Sequence, residues 1–294
     1  MTLRLMAVHA HPDDESSKGA ATYAHYLRAG AEVMVVTCTG GERGDLLNTL
    51  AARNPKSKCD LAGLRRDEMA RAQEIIGFDH RWLGFEDSGL PPDGIAVPPG
   101  SFADIDKEIS ARVLTKVVRE FKPHVIITYN EIGGYPHPDH IRTHEITKIA
   151  WEASGDPEKY PEVGEPWEPL KLYYEEIFNM QRASHMLETM KRRDPESKLV
   201  IILEEYLDRV KQRPYVATTN VDVGEFFELR DEALRAHTSQ VEPDHPFFFW
   251  PNDLLREAWP YEDYRLADSR VETSLPETDL FQGITGFEQL HKVK

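Results

Sequence analysis

The chain has only two cysteines, Cys38 and Cys59, among its 294 residues. Two thiols are too few for a disulfide framework or a thiolate zinc cluster, and Cys38 lies within an apolar run, so we expect a reducing cytoplasm. Long apolar stretches are missing as well. No window approaches the roughly 18 apolar residues of a membrane span, and the apolar start of the chain is broken by histidines and acids before it reaches the length of a signal-peptide core. These absences predict a cytoplasmic protein that contacts no membrane.

Basic residues are scarce relative to acids. Lysine and arginine total 35 against 51 aspartates and glutamates, which gives a formal net charge of −16. A surface this acidic repels phosphate backbones, so nucleic acid is not an expected partner. The rest of the composition, 40% hydrophobic and 29% charged, is that of an ordinary globular protein.

Short apolar runs alternate with helical patterns through the first half of the chain. Apolar and polar residues do not alternate strictly within these runs, which is typical of strands buried on both faces of a parallel sheet. The segments between them end at glycines or at a Lys-Pro pair, as helices do. We predict strands at 4–10, 32–39, 80–85 and 124–130 and helices at 17–29, 61–76 and 104–121. This rhythm predicts an α/β fold, a Rossmann-like, doubly wound and mostly parallel sheet over residues 1–155.

Residues 156–294 have a different pattern. A connection rich in proline and glutamate is followed by a strand, charged helices, a second strand and an amphipathic helix. We predict an α+β elaboration that packs on the sheet, completes the substrate pocket and forms one integrated domain with it. The aromatic segment 246–261 favours a place in the core or in an interface of a homo-oligomer, and it is one candidate wall of a ligand pocket.

Two clusters of histidines and acids follow predicted strands. The first strand runs into HAHPDDE at 9–15, and the strand at 124–130 leads into HPDH at 137–140. Ligands of open α/β sheets bind at the carboxyl ends of the strands, so both clusters are expected at one edge. Three consecutive acids repel one another unless a cation lies between them, which predicts a bound metal ion.

Two histidines and one carboxylate from these turns can form an open metal site. His11 and Asp14, three residues apart, converge on one ion, and His140 comes from the second turn. Nitrogen and oxygen ligands without sulfur suit zinc, and iron(II) fits the same set. Asp13 points elsewhere and stays free. Asp139 is expected either to support a ligand histidine or to cap a helix.

Further polar residues follow the second and third strands. The loop TGGERG at 39–44 lacks the GxGxxG spacing after a first strand that a dinucleotide site needs. Glu42 in this loop and Asp87 after the third strand are at positions where carboxylates could hold sugar hydroxyls, with a solvated turn as the alternative.

Four blocks in order, HAHPDDESSKG, TGGERGD, LGFEDSGLP and GGYPHPDHIRTH, resemble the LmbE-related, PIG-L-type zinc deacetylase family. In the second half GEPWEPLKLYY, RDEALRAHTSQ and SLPETDLF are similar to the mycothiol S-conjugate amidases of that family rather than to its shorter deacetylases. The resemblance implies hydrolysis of the amide on the 2-amino group of a glucosamine. In the amidase case a mercapturic acid and glucosaminyl-inositol are released. The alternative is a deacetylase of N-acetylglucosaminyl-inositol or another N-acetylglucosamine compound.

The resemblance also implies roles for individual residues. Zinc would lie on the three ligands inferred above, and Asp13 would be the general base. His137 would stabilise the oxyanion and protonate the leaving amine, while Tyr135 would assist at the carbonyl oxygen. The implied contacts to this small-molecule substrate are Lys18, Asp87 and one of Arg65 and Arg66.

Two other classes share some of these features. An iron(II) oxygenase uses the same facial triad, but that class is typical of a jelly roll of alternating strands rather than of a β-α-β pattern. A sugar-binding module without activity would need no general base, and Asp13 would then have no purpose.

Overall fold

The structure is a computed structural model that describes residues 2–92, 94–211, 216–245, 248–286 and 290. Its strands are β1 Arg4–His9, β2 Glu32–Thr39, β3 Asp79–Phe85, β4 Val125–Thr128, β5 Lys171–Glu175, β6 Thr219–Asp222 and β7 Tyr261–Ser269. Its α-helices are α1 Asp14–Lys18, α2 Ala20–Arg28, α3 Lys56–Cys59, α4 Leu61–Ile76, α5 Lys107–Phe121, α6 Pro138–Ala153, α7 Met180–Arg193, α8 Lys198–Val210, α9 Phe227–Ala236 and α10 Asn252–Ala258. Short 3-10 turns occupy Thr49–Arg53, Pro161–Val163 and Gly224–Phe226.

All seven strands belong to one sheet with the order β3-β2-β1-β4-β5-β7-β6. The five strands from β3 to β5 in this order are parallel, and β7 is antiparallel to both of its neighbours. The predicted α/β class with a doubly wound, mostly parallel sheet is confirmed. The chain order reverses between β1 and β4, which is the position where such sheets form a crevice for ligands.

The sheet separates two apolar cores. Successive side chains of a strand point to opposite faces, so Leu5 and Ala7 of β1 pack on one side and Met6 and Val8 on the other. The first core is closed by α2, α4 and the helices from α7 to α10, and the second by α5 and α6. Burial on both faces explains why the strands read as continuous apolar runs rather than as alternating ones.

Helix boundaries follow local capping. Helix α4 has the predicted bounds, because the Asp60 side chain accepts from Gly63 N at its start and Gly77 adopts a left-handed conformation at its end. The helix predicted at 17–29 is instead divided into α1 and α2 at Gly19. A Cβ atom at Gly19 would lie 2.3 Å from the Tyr23 hydroxyl, so only glycine allows this close approach.

Residues after 155 extend the same sheet. Strands β5 and β6 lie in two of the predicted strands, while β7 was not predicted because YEDYRLADS carries charged side chains at four of its nine positions. It nevertheless fills the space between β5 and β6. Across the described residues, helices long and apolar enough to span a bilayer are absent.

Candidate active site

The turn after β1 separates two adjacent acids. Asp13 has a left-handed backbone with φ of 112°, and α1 begins at the next residue, Asp14. The Asp14 side chain is buried, whereas that of Asp13 keeps 25% of its surface exposed and lines a large cavity. The strained backbone at Asp13 thus gives neighbouring carboxylates two different environments.

Two imidazole nitrogens face one oxygen of Asp14. His11 Nδ1 lies 3.6 Å and His140 Nε2 3.5 Å from Asp14 Oδ2. These distances are too long for good hydrogen bonds. Two ligands that each lie about 2.0–2.1 Å from a tetrahedral zinc ion are about 3.4 Å apart, so both distances to Asp14 are compatible with ligands of one metal ion. We call these three residues the metal cradle.

The tautomer of His140 supports the same conclusion. His140 Nδ1 lies 2.9 Å from the Gly133 carbonyl oxygen, which can only accept, so the proton is on Nδ1. His140 Nε2 is therefore left with a lone pair, and it has no hydrogen-bond partner in the part of the chain that the structure describes. Burial also lowers the pKa of His140 well below its usual value. A buried, neutral and unpartnered nitrogen is what a metal ligand requires.

The other nitrogen of His11 faces supporting carboxylates. His11 Nε2 lies 3.2 Å from Asp139 Oδ2 and 3.5 Å from Asp87 Oδ1. Asp139 is fully buried, and its Oδ2 also accepts from Ser88 N. Asp139 was expected either to support a histidine or to cap a helix. The structure shows the contact to a histidine. A carboxylate behind a histidine fixes the ring orientation.

His137 is the third histidine at this edge. One ring nitrogen each of His11, His137 and His140 lies within 4.8 Å of the other two, so this trio could also hold a metal ion. His137 Nδ1 accepts from Asp139 N at 3.2 Å and so caps α6, which leaves Nε2 as the protonated nitrogen of the neutral ring. Burial and the nearby His11 lower the pKa of His137 to about 4. Tyr135, 40% exposed, lines the cavity beside it.

Lys18 reaches the metal cradle from α1. Its ammonium donates to Asp14 Oδ1, and the side chain is buried at the cavity wall. Burial alone would lower the pKa of Lys18, but the charges of Asp14 and Glu175 raise it above its usual value. The ammonium therefore stays charged beside the metal cradle.

Arg65 lies on the other side of Asp13. It donates from Nη2 to the Pro12 carbonyl at 2.7 Å and from Nη1 to the Gly41 carbonyl at 3.1 Å. Its Nη2 is 3.6 Å from Asp13 Oδ2. Burial raises the pKa of Asp13 to about 6, with Arg65 opposing the shift and Asp14 adding to it.

Two of the predicted substrate contacts lie elsewhere. Arg66 is exposed on the outer face of α4, with its guanidinium 6.0 Å from the Trp82 ring centre, because adjacent residues of a helix point in different directions. Of the two arginines, only Arg65 lines the cavity. Glu42 is absent from the described lining residues, and its Oε2 accepts from Asp87 N at 3.0 Å. Glu42 thus fixes the turn that carries Asp87.

The cavity has a volume of about 780 Å³ and extends well beyond the metal cradle. The part of its lining that comes from residues after 155, which we call the distal wall, combines apolar and aromatic side chains with three arginines, a glutamine and a glutamate. The distal wall includes Ile177, Phe178, Arg182, Tyr206, Arg209, Val210, Arg230, Leu234, Gln240, Val241, Phe248, Trp250 and Glu262. Phe248 and Trp250 belong to the aromatic segment, which therefore contributes to the cavity wall.

Two residues at this site were not predicted. The Tyr129 hydroxyl donates to Asp14 Oδ2 at 2.7 Å, and His237 Nε2 lies 2.7 Å from Glu15 Oε1. Tyr129 comes directly after β4, so its position at the carboxyl edge could have drawn attention to it. His237 is separated from Glu15 by 222 residues, and no local pattern indicates such a contact.

Acid–base groups beside a cradle that suits a divalent cation are the means by which enzymes activate water, so the site defines a metal-dependent hydrolase. Comparison with known proteins specifies the class further. The family model PIG-L, GlcNAc-PI de-N-acetylase, matches residues 6–151. The mycothiol S-conjugate amidase of Streptomyces coelicolor is 49% identical over 290 residues, 96% of this chain and 97% of that protein. The chain belongs to the PIG-L family and is a hydrolase of amide bonds.

Further relatives agree with this assignment. The 1D-myo-inositol 2-acetamido-2-deoxy-alpha-D-glucopyranoside deacetylase of Streptomyces scabiei is 37% identical and covers 96% of this chain and 90% of its own length. The solved N,N'-diacetylchitobiose deacetylase of Pyrococcus horikoshii aligns with a TM-score of 0.60 at 19% identity, over 90% of this chain and 83% of that one. At this identity the likeness concerns the fold alone.

Proposed function

We propose that the protein is a zinc-dependent amidase of mycothiol S-conjugates. It would cleave the amide on the 2-amino group of the glucosamine and release a mercapturic acid and glucosaminyl-inositol. The observation that carries this proposal is the joint presence of the metal cradle, the free acid Asp13 and a distal wall far larger than an acetyl group needs.

The metal cradle suits zinc in its donor set. His11, Asp14 and His140 would hold the ion, which leaves a position open for substrate. A zinc ion there supplies Lewis acidity, which makes water a stronger acid and an amide carbonyl a better electrophile. Iron(II) accepts the same nitrogen and oxygen donors and is the second candidate metal.

Asp13 would take the proton from the attacking water. Its carboxylate lies at the cavity wall next to the metal cradle, and Arg65 holds the preceding carbonyl. Burial raises the pKa of Asp13 to about 6, close to the pH at which a general base is most effective in a cell.

His137 and Tyr135 would serve the opposite side of the scissile amide. Because Asp139 N occupies Nδ1 of His137, the Nε2–H is the group that donates to the developing oxyanion. Because this neutral ring has no second proton to give, the proton that Asp13 takes from the water would be the one passed to the leaving amine. Tyr135 lines the cavity next to His137, where its hydroxyl could add a second donor at the carbonyl oxygen.

Polar and apolar parts of the cavity suit different ends of such a substrate. Lys18, Arg65 and Asp87 lie near the metal cradle, where charged groups can bind sugar or inositol hydroxyls. The distal wall would take the group attached to the thiol, which varies between conjugates. Its aromatic side chains, Tyr206, Phe248 and Trp250, bury apolar ligand surface without a demand for one shape.

The first test is the identity of the products. We expect the zinc-loaded protein to convert an aromatic mycothiol S-conjugate into one mercapturic acid and one glucosaminyl-inositol, detected together by mass spectrometry. The matched Asp13→Asn protein, which keeps the metal ligands, should form both products far more slowly. Release of acetate from the conjugate with the cysteinyl amide intact would contradict the proposal.

The second candidate function is deacetylation of N-acetylglucosaminyl-inositol. It is favoured by the 37% identity to a deacetylase of this type. The metal cradle and Asp13 serve both reactions equally, because both hydrolyse an amide on the same amino group. The distal wall is the feature that favours the amidase, since an acetyl group would leave it without a ligand.

A further inference from the structure

Glu15 is a fully buried carboxylate next to the proposed base. Its Oε2 accepts from Asp13 N at 2.9 Å, and its Oε1 accepts from the Ser16 hydroxyl. His237 Nε2 lies 2.7 Å from the same Oε1. A carboxylate that receives two other donors acts as an acceptor, so His237 contributes its Nε2–H. Glu15 therefore connects the backbone of Asp13 to a histidine of the second half of the chain.

The backbone at Asp13 depends on such support. A φ of 112° is sparsely populated for an aspartate and persists only where surrounding contacts maintain it. Asp13 makes no side-chain cap to α1 that could compensate. Two contacts hold the peptide unit that precedes Asp13, namely Arg65 at its Pro12 carbonyl oxygen and Glu15 at its Asp13 N.

His237 is itself held firmly at the end of α9. It is fully buried, and its backbone N donates to Leu234 O. The next two residues, Thr238 and Ser239, donate three hydrogen bonds to the buried carboxylate of Glu68 on α4, at 2.6–2.7 Å. Helix α4 also carries Arg65. The two supports of the Asp13 turn are thus connected to each other through Glu68.

We infer that His237 is a positioning residue for the general base. It fixes the Glu15 carboxylate, Glu15 holds Asp13 N, and the left-handed turn that points Asp13 into the cavity is maintained. His237 does not line the cavity and does not belong to the metal cradle. The inference rests on the proposed function, because it takes Asp13 as the base of that reaction.

A double-mutant cycle tests this inference. The His237→Leu and Asp13→Asn variants and their combination are compared, with the zinc-loaded protein and an aromatic mycothiol S-conjugate. Displacement of a catalytic group by about 1 Å can cost about 100-fold in rate, so we expect His237→Leu to lower kcat about 10- to 100-fold with little change in KM. In the Asp13→Asn background the same substitution should change kcat less than about twofold, because the group it positions is already inactive.

Three controls separate positioning from folding. His237→Gln, whose amide can still donate to Glu15, should recover most of kcat. His124→Leu removes another buried histidine, one that accepts from Arg4 N far from the site, and should leave kcat unchanged. Zinc content should remain one per chain in every variant. The melting temperature of each variant shows whether the protein is folded.

Each remaining outcome is decisive. Equal losses from His237→Leu in both backgrounds would overturn the positioning role while leaving Asp13 as the base. An unchanged kcat in the folded His237→Leu variant would also overturn the positioning role of His237. Full activity of Asp13→Asn alone would remove the base from the proposed function, and the inference with it.

Discussion

The two ends of the cavity are built in different ways. The metal cradle and Asp13 come from turns at the carboxyl ends of β1 and β4, and the Asp14 and His140 side chains are held by buried hydrogen bonds. The distal wall comes from α7 to α9, from the residues that flank these helices, and from Phe248, Trp250 and Glu262, and it has more apolar than charged side chains. The edge of the parallel sheet therefore carries the proposed catalytic groups, while the part of the chain after residue 155 supplies much of the remaining cavity lining.

The largest effect is expected at the metal cradle. His140→Ala removes a proposed ligand whose Nε2 has no hydrogen-bond partner among the described residues. The variant should no longer bind one zinc ion per chain. Its kcat should be more than about 10⁴-fold lower than that of the unchanged protein, which is a larger loss than Asp13→Asn should cause. Metal analysis of the purified protein checks this. Full zinc occupancy in the variant would show that His140 is not a metal ligand.

Asp13→Asn should give the next largest loss. The amide cannot accept the proton of water, so kcat should decrease by about 10² to 10⁴-fold while zinc stays bound. Rate and metal content are to be measured on the same sample. An unchanged kcat would show that another group is the base.

His137→Ala should cost less than loss of the base. Removing one donor to an oxyanion costs about 2.7–4 kcal/mol, which corresponds to about 100- to 1,000-fold in kcat. Zinc should remain, because the three proposed ligands are intact. If the variant loses its zinc instead, His137 is a ligand, and the metal cradle was assigned wrongly.

The distal wall should affect substrate choice rather than chemistry. Trp250→Ala should lower kcat/KM for a bulky aromatic conjugate by about 10-fold or more, since even one methylene group in a hydrophobic pocket is worth about 1–3 kcal/mol. The same variant should leave the slower turnover of N-acetylglucosaminyl-inositol unchanged. Equal losses of kcat/KM on both substrates would show that the distal wall does not select the substrate.

The smallest effect is expected at Arg66. Its side chain is exposed and lies over Trp82, on the outside of α4. Arg66→Ala should keep kcat/KM within about twofold, as surface substitutions usually do, whereas Arg65→Ala should reduce it. A large loss in Arg66→Ala would mean that the substrate reaches the outer face of the helix.

The parallel strands and the helices between them could be predicted because both faces of the sheet are buried. Apolar runs such as 32–39 and the capped helix at 61–76 carry that signal locally. Strand β7 could not be predicted, since its residues pair with neighbours that are distant in sequence and many of them are ionisable. Tertiary pairing, not local pattern, makes Tyr261–Ser269 a strand.

The candidate site also has residues that could be predicted from the sequence and residues that could not. His11, Asp14 and His140 were predicted because strand ends and residue spacing bring them together without knowledge of the rest of the chain. The choice between adjacent arginines depends on the rotation of α4 against the turn at Pro12, which the sequence does not specify. The contact of His237 with Glu15 arises only when the second half packs on the first.

The most direct test of the account compares kcat/KM of the zinc-loaded protein for a mycothiol S-conjugate and for N-acetylglucosaminyl-inositol under identical conditions. If the sheet edge supplies the chemistry and the distal wall selects the substrate, the conjugate should be preferred by at least about 100-fold. A preference for the acetylated sugar would contradict the account, because the distal wall would then play no part in substrate choice.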